Sequence, residues 1–365
     1  MHSKRKVRSF FRSFRIYLFV WFIAMALFNI IRRLGTTDVV NSIPVNQPSI
    51  LITLQIIIPL SFILAILSVV SDRILSIHRT MHMSYGKVMF LSFLLNIGML
   101  LVVVIFGYRV LHNLGLDQIA PNEDVFRAVF SKNMLVAGIY ISFMNLLFGI
   151  SRLVNANLGE GNLWKLITGK YHKPREESFI FMFLDLKSST TAAEKLGHLK
   201  YSEMIQRCFY DLTVPLQNFG GAVYQYVGDE AVIYWKPDQG LKQANCLRLY
   251  FEFDKILNEK KEDYFSEYGW HPEFKAGLHL GPAIVTQVGS VKREIAFHGD
   301  TLNIAARIIG LCNEKKSKIL VSDVLRQNLI GNNPQLDQIT FHEKGIETLR
   351  GKEEKMGVYD VVRIP

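Results

Sequence analysis

Phe179-Ile180-Phe181-Met182-Phe183-Leu184-Asp185-Leu186-Lys187-Ser188-Ser189-Thr190-Thr191 is the stretch on which the reading of this chain turns. Its first six residues are apolar without a polar break, the pattern of a strand buried on both faces. The polar turn from Lys187 to Thr191 opens a helical region reaching about Phe219, and Gly220-Gly221 ends it. Ala222 to Val227 and Ala231 to Trp235 follow as a hairpin turning at Gly228-Asp229-Glu230. Beyond it the patterning predicts a helix over 239–262, strands at Phe274 to Leu280 and Ala283 to Val288, and a helix from Asn303 to Cys312. A strand at Ile319 to Ser322, a short helix, and strands near 340 and at Val358 to Val362 complete the chain. Such alternation predicts an α+β sandwich with one helix-covered sheet over 178–365.

Two carboxylates gain meaning from this layout. Asp185 ends the buried strand and Asp229 sits in the hairpin turn, so neighbouring strands would bring both to one sheet edge. Paired carboxylates there suit Mg²⁺, which takes one or two protein carboxylates together with substrate phosphates. A lone Asp in a turn is more often a cap or a turn former, and only the pair carries the metal expectation. Asn303 and Arg307 stand at i, i+4 on one predicted helical face, so an amide and a guanidinium point the same way. That pair can orient a ribose and stabilise a charged phosphoryl transition state.

The first half of the chain has a different character. Of 365 residues 49% are hydrophobic and 20% charged, with a net charge of +10. Residues 1–175 carry 19 Lys+Arg against 6 Asp+Glu, while 176–365 carry 23 against 26. The positive charge therefore belongs to the apolar half, the signature of membrane segments with cytoplasmic flanks; nucleic-acid binders are basic and polar. Crossing about 30 Å of hydrocarbon takes about 20 apolar residues in a helix. Ile16 to Ile31, Ile50 to Val70, Val88 to Tyr108 and Asn133 to Ser151 are read as four transmembrane helices forming an N-terminal all-α region, 1–151.

Lys4, Arg5, Lys6, Arg8, Arg12 and Arg15 place the N-terminus in the cytoplasm, and an even number of crossings returns the second half there. A cleaved signal peptide is disfavoured by the bulky Asn29-Ile30-Ile31-Arg32 that follows the first run. None of the four spans holds an ionisable residue in its interior, which argues for an anchor or sensor and against a transporter. His78 and His82, at i, i+4 between the second and third spans, read as a solvated loop pair. A connector over 152–177 is amphipathic enough to lie at the membrane surface or pair with a partner helix. Cys208, Cys246 and Cys312 form neither a disulfide framework nor a zinc site.

Four motifs now stand in order: Phe183-Leu184-Asp185-Leu186-Lys187-Ser188-Ser189-Thr190, Gly228-Asp229, Gly299-Asp300-Thr301-Leu302-Asn303-Ile304-Ala305-Ala306-Arg307, and Arg350-Gly351. Together they resemble the catalytic domain of class III nucleotidyl cyclases, of the bacterial membrane-anchored type, over about 178–363. The resemblance implies a ferredoxin-like palm fold working as a head-to-tail homodimer with sites shared across the interface. It implies that Asp185, Asp229 and the Leu186 carbonyl hold two Mg²⁺ or Mn²⁺ ions. Asn303 and Arg307 would come from the other protomer. Thr190 and Arg350 would contact the nucleotide, Arg350 standing where the family usually has a Lys for the terminal phosphates.

The implied chemistry is attack of the ribose 3′ oxygen on the α-phosphate with loss of pyrophosphate, giving a cyclic nucleotide for intracellular signalling at the cell membrane. The family's usual adenine-reading pair is Lys and Asp; here those positions are Gln225 and Ala296. A Gln amide both donates and accepts, so it can read adenine, guanine or a pyrimidine. ATP is expected on family frequency, with GTP or a pyrimidine triphosphate as alternatives. A catalytically inactive dimerisation module is a further alternative, against which the retention of Asp185, Asp229, Asn303 and Arg307 argues.

Overall fold

The computed structural model describes residues 2–37, 50–74, 83–113, 132–159, 162–333, 338–348 and 355–364. The chain divides into two units, Met1–Asn157 and Leu158–Pro365.

The first unit is built from α1 (His2–Thr37), α2 (Ile50–Ile74), α3 (Tyr85–Asn113) and α4 (Lys132–Leu158). Trp21, Ala24 and Met25 of α1 pack against Ile57, Leu64 and Ala65 of α2 and Ile141 of α4. Polar groups inside the bundle pair across helices. Trp21 Nε1 donates to Ser68 Oγ at 3.0 Å, Asn96 Nδ2 to Ser71 Oγ at 3.2 Å, and the Tyr140 hydroxyl to the Ala24 carbonyl at 2.7 Å. Many large apolar side chains point outward instead, Phe19 at 66% exposure and Ile139 at 71% among them. Among the described residues, two helical stretches are long and apolar enough to cross a membrane, Ser13–Ile31 and Ile57–Ile74. Gly86–Val102 and Leu135–Ser151 are apolar but shorter, so length and composition carry two of the four expected spans. His78 and His82 lie outside the described residues.

The second unit runs α5 (Asn162–Ile167), β1 (Arg175–Leu186), α6 (Ser189–Leu196), α7 (His198–Asp211), α8 (Thr213–Phe219), β2 (Ala222–Val227) and β3 (Glu230–Trp235). It continues through α9 (Pro237–Gly240), α10 (Asn245–Glu259), α11 (Lys261–Tyr268), β4 (Phe274–Val288), β5 (Glu294–His298) and α12 (Asp300–Leu311). β6 (Ile319–Ser322), α13 (Asp323–Asn332), β7 (Ile339–Thr348) and β8 (Lys355–Arg363) close it. The strands form one sheet in the order β2-β3-β1-β4-β6-β8-β7, with β5 paired to β4. β1 lies antiparallel to both β3 and β4, and β4–β6 is a parallel pair. The first four strands thus follow the βαββαβ arrangement of a ferredoxin-like sheet, as expected.

The apolar run of β1 is unbroken because both its faces are covered. Ile180, Met182, Leu184 and Leu186 enter a core with Met204 and Cys208 of α7 and Leu247, Tyr250 and Phe253 of α10. Phe179 and Phe181 enter the opposite cluster with Tyr234, Phe297 and Ala305 of α12. α12 comes so close to the sheet that a Cβ on Gly277 of β4 would stand 2.3 Å from the Ile309 backbone nitrogen. Side chains are excluded there, and the contact fixes the helix that carries Asn303 and Arg307.

Two expectations are corrected and one strand is added. The strands expected at 274–280 and 283–288 are one strand, β4, continuous through Gly281-Pro282. β4 pairs with β1 from Arg175↔Val285 to Leu186↔Phe274, and this long ladder holds the Pro282 position extended. The helix expected over 239–262 begins at Asn245 and is succeeded by a separate helix, α11. β5 was not expected; its five residues are too short to show alternation, and its partner β4 defines it.

Candidate active site

Backbone pairing assembles the acidic end of the sheet. Asp185, at the last turn of the β1 ladder, stands opposite Glu230 of β3 on one side and Lys275 of β4 on the other. Asp229 occupies the two-residue turn between β2 and β3, after Gly228 with φ +61°, a backbone shape that glycine adopts freely. Sequence separation is large, yet Asp185, Asp229, Glu230 and Lys275 converge.

The electrostatics of this corner are those of crowded negative charge. Burial pushes the Asp185 carboxyl up; the Lys275 ammonium, 3.2 Å from Oδ2, pulls it back, and the charge on Asp229 pushes it up again. Glu230 is raised by burial and by Asp185 and Asp229. The Tyr201 phenol of α7, against Asp229 and Ser189, is pushed up to about 12 by burial and by the Asp229 charge. Asp229 Oδ2 is buried without a hydrogen-bond partner among the described residues. A buried carboxylate oxygen with no donor is costly, and a divalent cation shared with Asp185 would satisfy it and cancel the mutual repulsion. The donor set therefore fits Mg²⁺ or Mn²⁺. The Leu186 side chain is buried in the core, so only its main chain is available to such an ion. Among the described residues no group of three or more His, Cys, Asp and Glu is arranged to hold a metal ion by itself, so the fit rests on the aspartate pair with substrate oxygens.

The turn after β1 adds capacity for an anion. Ser188 has a left-handed backbone, φ 57°, and its hydroxyl does not cap α6. The first N–H groups of α6, with the exposed Thr190 among them, are left for another acceptor. On α12, Thr301, Ala305, Ile308 and Ile309 turn inward, while Asn303 and Arg307 are exposed on the outward face. Thr301 donates its hydroxyl to the Pro282 carbonyl and anchors the first turn. Among the described residues neither Asn303 nor Arg307 is tied up in a hydrogen bond or ion pair, and neither pairs with Asp185 or Asp229 of the same chain.

Gln225 and Ala296 lie on β2 and β5, strands joined by aromatic contacts. Tyr224 meets Phe297 edge to face at 5.0 Å between ring centres. Ala296 is half-buried and Gln225 exposed. Arg350 lies outside the described residues.

The sequence pattern of the adenylate and guanylate cyclase catalytic domain matches residues 171–362. The chain belongs to this family. Within it, the chain is similar to adenylate cyclase 2 of Rhizobium meliloti (strain 1021), at 36% identity over 171 residues covering 47% of this chain and 47% of that protein. It is also similar to the terminal-differentiation specific adenylate cyclase of Dictyostelium discoideum, at 24% identity over 191 residues, 51% of this chain and 9% of that one. The matches thus span about half, or less, of these relatives. A bacterial light-regulated adenylyl cyclase shares the fold, with a TM-score of 0.52 and 19% identity over 65% of this chain and 68% of that one.

Three residues that gather at the candidate site were missed in the sequence. Lys275, Glu230 and Tyr201 reach it through strand register and helix packing, and no local motif marks them. Lys275 is the second residue of β4, directly after the buried Phe274.

Proposed function

We propose that the chain is a membrane-anchored adenylate cyclase that converts ATP to its 3′,5′-cyclic monophosphate and pyrophosphate as a homodimer. The observation that carries this is the buried, unpartnered Oδ2 of Asp229 beside Asp185, a cation-shaped deficit at the sheet end. Similarity to adenylate cyclases in two organisms favours ATP over other nucleotides.

Asp185, Asp229 and the Leu186 carbonyl would hold Mg²⁺ or Mn²⁺, two per site. Such ions, when bound, acidify the ribose 3′ oxygen and neutralise charge on the leaving pyrophosphate. The remaining work belongs to the chain. The unsatisfied N–H groups at the start of α6, with Thr190, receive phosphate oxygens. Lys275, paired with Asp185 at the same corner, would add positive charge beside the polyphosphate. Asn303 and Arg307 of the second protomer orient the ribose and stabilise charge developing on the α-phosphate; their exposure and lack of partners within one chain support a role across an interface. Arg350 approaches the terminal phosphates, and Gln225 and the strand holding Ala296 border the base.

The membrane anchoring rests on the first unit. Many of its large apolar side chains face outward, and its apolar interior also holds polar pairs that bond across helices, a combination that suits a bilayer. With the two shorter apolar helices counted as spans, the even number of crossings and the basic N-terminal segment support a cytoplasmic catalytic domain at the inner or plasma membrane.

The test is incubation of the purified full chain in detergent with Mn²⁺ and each of the four nucleoside triphosphates, with products identified by mass. Cyclic AMP as the main product is expected. No cyclic product from any of the four, with the dimer confirmed by light scattering, favours an inactive dimerisation module instead. Separation of cells into membrane and soluble fractions tests the anchoring, with the chain expected in the membrane and resistant to carbonate extraction.

A further inference from the structure

At the end of β1 away from Asp185, positive charge gathers around a single carboxylate. The turn after α5 passes through Gly169, φ +63°, and folds the chain back so that the Lys170 N–H donates to the Lys165 carbonyl at 3.0 Å. The Lys170 ammonium stands 4.9 Å from the centre of the Tyr171 ring and 3.4 Å from Glu177. Lys236 follows β3, and the pairing of Ile180 with Trp235 sets it beside Phe179. Its ammonium lies 3.9 Å from the centre of that ring and pairs with the same Glu177 carboxylate, which also accepts from the Tyr171 hydroxyl at 3.2 Å. Lys165 is half-buried; burial and the charges of Lys170 and Lys236 push its ammonium down, against the pull of Glu177. Three ammonium groups thus share one carboxylate, and Lys173 and Arg175 are exposed close by in the chain. Glu177 and Asp185 lie about 26 Å apart along β1, so this cluster is separate from the candidate active site.

The same short helix shows an apolar face. Trp164 and Ile167, at i, i+3, are 69% and 66% exposed, while Leu163 and Leu166 are half-buried. Lys165 joins the two features, since it lies between Trp164 and Ile167 in α5 and within the field of Lys170 and Lys236. From the end of the apolar stretch Leu135–Ser151 to the start of α5 the chain can reach at most roughly 25 Å. A tryptophan set among lysines just after a membrane span has the composition that settles at the headgroup layer. A second copy of this chain would bring a like-charged cluster to the same face and be repelled, whereas an anionic surface complements it.

We infer that α5 and the lysines around Glu177 form a docking surface for anionic phospholipid headgroups. Lys165, Lys170 and Lys236 donate to the headgroup phosphates, and Trp164 and Ile167 enter the interfacial layer. The inference rests on the membrane anchoring proposed above. A lipid surface uses both the cations and the exposed apolar pair; a free phosphate uses the cations alone.

The experiment places the full chain in nanodiscs of brominated phosphatidylcholine, alone or with about one third phosphatidylglycerol. Quenching of Trp164 is read as the difference between wild type and Trp164→Phe. The ratio of quenched to unquenched Trp164 emission is expected to rise at least about fivefold with the anionic lipid, the weight of one basic residue near a charged surface. Combining Lys165→Gln, Lys170→Gln and Lys236→Gln is expected to abolish the rise, and combining Lys165→Arg, Lys170→Arg and Lys236→Arg to keep it. The comparison of the two lipids in wild type stands whether or not the glutamine variant folds. Equal quenching in both lipids, or a rise that survives loss of the three lysines, overturns the headgroup role. Absence of quenching in an inserted chain also overturns it and gives the Trp164 face to a second copy. Inorganic phosphate that erases the rise, where chloride of equal ionic strength does not, marks the cluster as a site for free phosphate and overturns the lipid assignment. A chain that never enters the discs removes the anchoring and this surface together, whereas insertion without lipid-dependent quenching removes this surface alone.

Discussion

Lys275 and Asp185 face one another across the β1–β4 ladder, ammonium to carboxylate at 3.2 Å, and both are largely shielded, at 15% and 25% side-chain exposure. The chain thus carries its own monovalent cation against a carboxylate proposed to bind divalent ones. Removing the lysine leaves three carboxylates without it. Lys275→Ala is expected to destabilise the metal-free protein by about 1–2 kcal/mol, between the values of exposed and buried pairs. Calorimetric melting checks this, and Mn²⁺ is expected to raise the melting temperature of the variant more than that of the wild type. An equal Mn²⁺ response in both proteins would count against competition for Asp185.

Asp229→Asn removes the charge that pushes Asp185 up and fills the orphaned position with a neutral amide. Stability of the metal-free protein is expected to hold or rise, while Mn²⁺ affinity falls at least about tenfold. Electron paramagnetic resonance of free Mn²⁺ reads the affinity directly, without relying on turnover. Retention of wild-type affinity would remove Asp229 from the metal site.

Complementation tests the shared interface. Asp229→Ala and Arg307→Ala, each inactive alone, are expected to recover about a quarter of wild-type activity when mixed in equal amounts, because half of the dimers are mixed and each rebuilds one site. Cyclic nucleotide production after mixing and re-equilibration is the measurement. No recovery, with subunit exchange verified, speaks for a site contained in one chain.

The pH dependence of stability has a handle away from the metal site. Burial acts to raise the Glu177 carboxyl, but Lys236 and Lys170 outweigh it and hold the group below its ordinary value. A carboxylate depressed on folding stabilises the protein above its unfolded pKa, near 4.3 as a rough reference, and loses that contribution as pH falls through the folded value. Glu177→Gln is therefore expected to be less stable than wild type at pH 7, with the gap closing below about pH 4. Urea titrations across that range decide it; a gap independent of pH would mean that packing, and not charge, sets the difference.

Gly277→Ala probes the seat of α12. A methyl group 2.3 Å from the Ile309 nitrogen forces the helix off the sheet. A loss of about 3 kcal/mol or more is expected, with Asn303 and Arg307 displaced and activity lost alongside. A melting temperature within a degree of wild type would show that α12 yields at no cost.

Much of this architecture was legible beforehand. The unbroken Phe179 to Leu184 run marked a strand covered on both faces, and Gly228-Asp229 marked the hairpin turn; both carry their information in contiguous residues. β5 and the continuity of β4 were not legible. Five residues such as Glu294 to His298 become a strand only through their partner, and Pro282, which would end many strands, is held inside a long ladder.

Local sequence was enough to mark the apolar basic first half, the α+β second half, and Asp185, Asp229, Asn303 and Arg307 as the residues to watch. Periodicity, turn chemistry and side-chain type are local properties that any window of the chain displays. That Lys275 is the cation beside Asp185, that Glu230 adds a third carboxylate and that Tyr201 lies against Asp229 follow only from the folded arrangement. Those neighbours come from strand register and helix seating. Both are set by the packing of segments far apart in the chain, and a shift of one residue in register would have turned every one of these side chains to the other face.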